Sequence, residues 1–523
     1  MTGRDRQRRL ACLFGALILL CAGRTPAATS ESQPVADTTA GAVRGTGGAV
    51  LTFKGIPYAQ APLGPLRWRA PQSHPPWPGV RDATHFGDDC MQLPYVIPTG
   101  QKPSEDCLTV NVWTPAEHRE AALPVVVFIY GGGFIGGSCA YPLYDGGKLA
   151  ARGVVVVCFN YRVGVFGFLA HPRLSAETPQ KSSGNYGLLD QLAALRWVRD
   201  NIGAFGGDPR RITVLGESAG AVSIALLMSS PLAQGLFARA VAQSPLVPQL
   251  ATLAEAETQG ARLGTDLDAL RHMSATALLA HDFDFFPIAP HAVMAHAVPL
   301  PVIDGYVLPT QPRAALRACA AGAVPSVIGI SADEGRMFSG DLHVETVASY
   351  RAWVSRTFGP LASQLLRLAP ATTDAEVPRA VSLLLGDATF DESARLLARS
   401  LSRCGLPAYA YVFGSNIAGR AQPATHSEAL PYLFGNLREP SFIPHPPPSA
   451  ADQELSALMM SAVARFATGG DPNGAGLPRW SRYDASEPYL QLATRVRLGH
   501  AWHKSRLDAL EPFYSEDPPA AQP

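Results

Sequence analysis

The chain has 523 residues, with 43 basic and 43 acidic side chains and an apolar content of 47%. That length allows one large domain or two ordinary ones, each with a substantial core. The even charge balance argues against nucleic acid or an anionic membrane surface as the main partner.

At the N-terminus, Arg4, Arg6, Arg8 and Arg9 precede an apolar run over 10–23, followed by Thr25-Pro26-Ala27-Ala28. A basic head, a short apolar stretch and small residues predict an export signal over residues 1–28, cut near Ala27 or Ala28. The run is shorter than the roughly 20 helical residues a bilayer span requires. Two variants of export can be read in the same residues. One is a lipid anchor at Cys21, against which the bulky Leu20 stands; the other is folded-state export through the Arg8-Arg9 pair. No later apolar stretch is long and uninterrupted enough for a membrane helix, so the mature chain, 29–523, is expected to carry no membrane span.

The next stretch, to about Thr39, reads as disordered, and 42–44 with 50–53 as a small hairpin. From about Leu108 short apolar runs alternate with helical periods. The runs are 110–113, 125–130, 154–159, 212–215, 240–243, 327–330, 408–413 and 490–496, with helical spacing over 188–201 and 219–227. Alternation of this kind implies an α/β fold, a large mostly parallel sheet flanked by helices. Residues 246–323 and 336–402 read as helical insertions above the sheet edge, and 440–448 as a Pro-rich surface loop. The region 29–523 is expected to be a single domain.

Six cysteines follow the signal: Cys90, Cys107, Cys139, Cys158, Cys319 and Cys404. Outside the cytoplasm disulfides persist, and a bond between Cys90 and Cys107 would close a short polar loop. Cys158, inside the apolar run 154–159, reads as a small core residue. Cys319 and Cys404 either pair or remain separate thiols. No cysteine–histidine grouping has metal spacing.

The chemistry is carried by Gly216-Glu217-Ser218-Ala219-Gly220, placed between an apolar run and a helical pattern. A serine hydroxyl is a poor nucleophile until a base takes its proton and donors await the oxyanion. A strand, a Gly-x-Ser-x-Gly turn and an immediate helix put the serine on a strained, exposed corner, with glycines allowing strand and helix to approach. Gly131-Gly132-Gly133 follows the run 125–130. The N–H groups of Gly132 and Gly133, with that of Ala219, are expected to form the oxyanion hole; the competing reading is a plain flexible turn.

With these motifs the chain resembles the type-B carboxylesterases, the family of cholinesterases, bacterial para-nitrobenzyl esterases and the non-catalytic neuroligins. The resemblance runs from about Gly55 to Gly499. It includes Gly55-Ile-Pro-Tyr-Ala-Gln-Ala-Pro62, Ser104-Glu-Asp-Cys-Leu108, Asn160-Tyr-Arg-Val-Gly164, Gly187-Leu-Leu-Asp-Gln191 and Phe205-Gly-Gly-Asp-Pro209. It implies an α/β-hydrolase fold with a Ser–His–Glu triad in chain order Ser, acid, His. It puts the acid at Glu334, with Asp333 as neighbouring competitor, and the base at His426. The family usually has an acidic residue three places after that histidine; here Ala429 stands there, with Glu428 one place earlier. Arg67 with Glu105 and Arg162 with Asp190 resemble the family's internal ion pairs. Ser244 resembles a serine supporting the triad, and Glu217 is expected to shape the electrostatics without transferring protons.

These parts imply an exported serine carboxylesterase acting on small-molecule esters through an acyl-enzyme, with no cofactor or metal. Carbamates, amides, polyesters or an esterified toxin are alternative substrates for the same machinery. A binding-only role is opposed by the presence of every catalytic part. Cholinesterases carry a tryptophan between their first cysteine pair for cation–π recognition; residues 91–106 contain none, which argues against choline esters. Ala295 and Ala297 align with bulky acyl-pocket aromatics of cholinesterases and predict a wide acyl pocket.

Overall fold

The β-branched runs at 125–127, 154–157 and 327–328 are buried along their length, as strands covered on both faces must be. The computed structural model describes residues 33–94, 97–115, 119–281, 301–414, 422–444 and 446–514. The predicted signal, including Cys21, and the acyl-pocket candidates Ala295 and Ala297 lie outside the described residues.

The principal sheet comprises β1 (Leu51–Pro57), β2 (Thr109–Thr114), β3 (Leu123–Ile129), β4 (Val155–Phe159), β5 (Gly207–Glu217), β6 (Arg239–Gln243), β7 (Ser326–Ser331), β8 (Ala408–Phe413), β9 (Pro488–Leu492) and β10 (Arg497–His500). Their order across the sheet is β10-β9-β8-β7-β6-β5-β3-β4-β2-β1. Every pairing from β4 through β3 to β9 is parallel, and β1–β2, β2–β4 and β9–β10 are antiparallel. Gly216 of β5 lies in register with Ile129 of β3 and Ala242 of β6. The carboxyl ends of these central strands therefore meet, which is where open α/β sheets place ligands.

Helix α1 (Tyr186–Asn201) packs on β5, and α2 (Ala219–Ser229) on β5 and β6. All residues of α2 from Ala219 to Met228 are buried, so it is apolar all round rather than amphipathic. Of the later helices, α3 (Val377–Gly386) precedes α4 (Glu392–Arg403), which covers β7 and β8, while α5 (Ala450–Gly469) covers β3 and β5. A second apolar core, centred on Tyr350, Trp353, Leu365 and Leu384, unites the insertion after β7 with Leu507 and Leu510 of the C-terminal helix α6 (Lys504–Leu510).

Two local expectations are corrected. The hairpin of 42–44 with 50–53 is reduced to one antiparallel bridge, Thr46 with Thr52, and residues 51–57 instead form β1 at the edge of the main sheet. Gly41–Arg44 pairs instead with Val35–Thr38, inside the stretch read as disordered. The pattern there is short and polar, yet Ala36 and Val43 plug into the main core, a tertiary contact that local composition does not encode.

The structure joins Cys90 to Cys107 and Cys319 to Cys404. It also joins Cys158 to Cys139, so Cys158 is a bonded residue rather than a lone core thiol. The bond ties the end of β4 to the segment that follows the triple glycine. Both predicted ion pairs form. Arg67 grips Glu105 through Nε (2.8 Å) and Nη2 (2.5 Å). Arg162 grips Asp190 through Nε (2.8 Å) and Nη2 (2.7 Å), with both side chains buried.

Candidate active site

Strand β5 ends at Glu217, and Ser218 follows at φ 54°, ψ −125° before α2 begins. A non-glycine residue held at positive φ costs of the order of 1–3 kcal/mol and persists only where its surroundings fix it. Its N–H donates to the carbonyl of Gln243 (3.0 Å), and its carbonyl accepts from Val222 N–H (2.8 Å). The flanking glycines are required sterically. A Cβ on Gly216 would fall 2.5 Å from the backbone of Gly220, and one on Gly220 would fall 1.9 Å from the carbonyl oxygen of Ile129. Ser218 is half-buried between fully buried neighbours, so it is the exposed point of this corner.

The triple glycine abuts the corner. A Cβ on Gly131 would lie 2.9 Å from Cβ of Ser218 and 2.7 Å from Oε2 of Glu217. Gly132 and Gly133 have φ of 114° and 63°, and the carbonyl of Gly132 accepts from the N–H groups of Ile135 and Gly136. Among the described residues, the N–H groups of Gly132, Gly133 and Ala219 take no part in the loop, turn or cap hydrogen bonds.

Glu334 stands in the loop after β7 and is 2% exposed. Its Oε1 accepts from Ser244 Oγ and from the Ser331 N–H, both at 2.5 Å. Its Oε2 lies 2.6 Å from Nδ1 of His426. A carboxylate can only accept, so Nδ1 carries the proton and Nε2 of the neutral ring is left as an acceptor. Asp333 points elsewhere: it accepts from Ser382 Oγ and faces Arg336 at 3.5 Å. Of the two adjacent acids, only Glu334 reaches the histidine.

His426 is buried, and its Nε2 makes no hydrogen bond. Nε2 lies 3.3 Å from Oε1 of Glu217, the residue just before Ser218, and that oxygen accepts from Ser427 Oγ at 2.6 Å. The His426-Ser427 step is thus laid against the Glu217-Ser218 step, without a hydrogen bond between His426 and Ser218. Such bonds are often long before substrate arrives and tighten in the reacting complex. Burial pulls the His426 pKa down, but the charges of Glu334 and Glu217 and the bond to Glu334 outweigh it, so the value lies above the usual 6.5. Burial raises the Glu217 pKa, against the opposing effects of His426 and Ser427.

Glu428 folds back to accept the Thr425 N–H (2.8 Å), bracing the turn that carries His426. Ser244, itself at φ 53°, also accepts from Gln243 Nε2 (2.9 Å) while it donates to Glu334. Three residues of this site carried no signal in the sequence. Ser427 holds Glu217, and the rings of Phe338 and Phe390 flank the imidazole at 5.1 and 4.6 Å.

The profile of the carboxylesterase family matches residues 32–510. The chain belongs to that family. It is 42% identical over 495 residues to a fumonisin B1 esterase of Sphingopyxis macrogoltabida, covering 93% of this chain and 91% of that protein. It is 37% identical to a para-nitrobenzyl esterase of Bacillus subtilis, covering 86% of this chain and 93% of that protein. A PNB esterase structure superposes with a TM-score of 0.78 at 34% identity, over 91% of this chain and all of that one. A Geobacillus stearothermophilus carboxylesterase gives 0.77 at 34% identity, over 91% of this chain and 99% of that one. The fold is therefore that of the α/β-hydrolases, and the protein is a carboxylic ester hydrolase.

Proposed function

We propose that this carboxylesterase is an exported serine hydrolase with Ser218 as nucleophile, His426 as general base and Glu334 as the acid that orients it. The supporting observation is the buried Glu334–His426 pair lying beside the strained corner that presents Ser218. His426 Nε2 takes the serine proton as Oγ attacks the ester carbonyl, then returns it to the leaving alcohol. Glu334 holds the tautomer and stabilises the imidazolium. Unengaged N–H groups at Gly132, Gly133 and Ala219 suit them to receive the oxyanion. Water then repeats the sequence on the acyl-enzyme.

His426 must begin neutral, and its pKa is raised, so the active form is lost as pH falls through a value above the usual 6.5. The expected pH profile of kcat/KM has an acid limb with its midpoint on the alkaline side of that value. A rate flat between about pH 5 and pH 8 would contradict His426 as the base.

The mature chain, from about residue 29, is read as a single catalytic domain. Export is supported by the basic-apolar N-terminus and by the three cystines among the described residues. No described helix is long and apolar enough to cross a membrane. For the substrate, likeness to a fumonisin B1 esterase over most of both chains favours fumonisin B1 or a related ester over a choline ester. The lack of tryptophan between Cys90 and Cys107 points the same way. A panel varying acyl and alcohol groups, with fumonisin B1 included and Ser218→Ala as control, tests this. Hydrolysis of fumonisin B1 and branched acyl esters is expected, and a strict preference for acetates would overturn it.

A further inference from the structure

A second buried polar cluster lies behind the proposed base. The π-helical turn Asp387–Asp391 joins α3 to α4, and such turns concentrate at functional sites. Its side chains divide between two directions. The ring of Phe390 is 4.6 Å from the His426 ring, tilted by 37°. Phe338 meets His426 edge-on at 5.1 Å and stacks on Phe390 at 5.7 Å.

Asp387 and Asp391 face the C-terminal segment instead. Nδ1 of His503 lies 2.6 Å from Oδ1 of Asp387 and 3.1 Å from Oδ2 of Asp391. Arg506 Nε donates to the other oxygen of Asp387, and Trp502 Nε1 to Oδ2 of Asp391 at 3.1 Å. Tyr514 adds a hydroxyl bond to the carbonyl of Ala388.

Three of these ligand atoms are close enough together to suggest a metal site. The charges argue otherwise: Arg506 and a protonated His503 already balance the two carboxylates, and a divalent ion would have to displace one and face the other. Burial opposes the charge on His503, but both aspartates lift its pKa to about 9, so it is protonated at neutral pH. Burial raises the Asp391 pKa to about 6, with the charges of Asp387 and Glu334 adding to it against the His503 bond. The cluster is an ion-pair clamp between the π turn and the start of α6, in which Oδ1 of Asp391 and Nη2 of Arg506 stay buried without a hydrogen-bond partner.

The clamp matters because one hydrogen bond at Nδ1 fixes an atom of His426 and leaves its ring plane free. We propose that Phe390 is a positioning residue for the His426 imidazole, held against it by the Asp387–Asp391–His503–Arg506 clamp. The inference rests on His426 being the base. Phe390 limits rotation of the ring, keeping Nε2 directed to the nucleophile's corner, and excludes water from one of its faces.

Phe390→Ala in the full chain, with folding checked by circular dichroism and thermal unfolding, is the first test. Expected are a fall in kcat of about 10- to 100-fold, as misplacement of a reacting group produces, and a small change in KM for a small ester. The acid limb should also move to lower pH, back toward the ordinary histidine value. Glu217 and Glu334 face the ring from the ends of β5 and β7, and water entering beside it relieves the burial but screens their charges, which together with the bond to Glu334 outweigh that burial. Loss of packing alone would lower thermal stability and leave that limb in place. Phe390→Leu, which refills most of the volume, should restore the limb.

His503→Gln, on the far side of the turn, should lower kcat in the same sense. The double variant should be no slower than Phe390→Ala alone, because both act through one element. A folded Phe390→Ala protein with kcat within about twofold of the parent and an unmoved limb overturns the inference. Independent, multiplying losses in the double variant overturn the clamp. If Phe390→Ala does not fold, His503→Gln carries the test, and an unchanged rate overturns the proposal. His426→Ala separates the premises: full activity in it refutes the base assignment, whereas inactivity with an unaffected Phe390→Ala refutes only the positioning role.

Discussion

Ser218→Ala is expected to lower kcat by about 10⁵- to 10⁶-fold, the scale on which loss of a triad nucleophile acts in serine hydrolases. The residue donates no hydrogen bond that the fold requires through its side chain. Its backbone bonds to Gln243 and Val222 remain available to alanine. Thermal stability should therefore hold while activity collapses, and the residual rate should be that of binding and oxyanion donors alone. Steady-state kinetics beside a thermal melt check both halves. Activity within about tenfold of the parent would place the nucleophile elsewhere.

Glu334→Gln should cost about 10⁴-fold in kcat, because an amide in place of the acid disturbs the histidine tautomer while leaving the geometry nearly intact. Oε1 of Glu334 already accepts two donors, Ser244 Oγ and the Ser331 N–H. A glutamine will therefore keep its carbonyl there and turn its amide toward Nδ1 of His426. Nδ1 must then accept, the proton moves to Nε2, and Nε2 can no longer take the proton of Ser218. Removing the carboxylate also removes the larger of the charges raising the His426 pKa, so the remaining activity should show an acid limb at lower pH. Loss of less than about tenfold, with an unmoved limb, would favour another acid.

The parts of the site legible in the sequence are those fixed by short-range sterics. Gly216 and Gly220 can be read from the pentapeptide because the contacts excluding a Cβ, at 2.5 and 1.9 Å, recur wherever a strand turns at once into a helix through a serine. The β–α alternation was equally readable, since buried parallel strands are unbroken runs of β-branched residues. His426 and Glu334 belong to another class. They lie 92 residues apart, and only resemblance to a family picked them from the other histidines and acids. Residues whose role comes wholly from tertiary placement were not legible. Phe390 looks like any core aromatic until a π turn points it at His426. Cys158 looks like filler in β4 until the triple-glycine segment brings Cys139 beside it. The strand Val35–Thr38 was missed because four residues of mixed polarity give no periodic signal.

The measurement that bears most directly on Ser218 is covalent labelling by a fluorophosphonate, followed by peptide mass spectrometry. The account predicts one adduct per chain, on Ser218, formed in parallel with the loss of esterase activity and abolished in His426→Ala. An adduct on another residue, or full activity after complete labelling of Ser218, would contradict it.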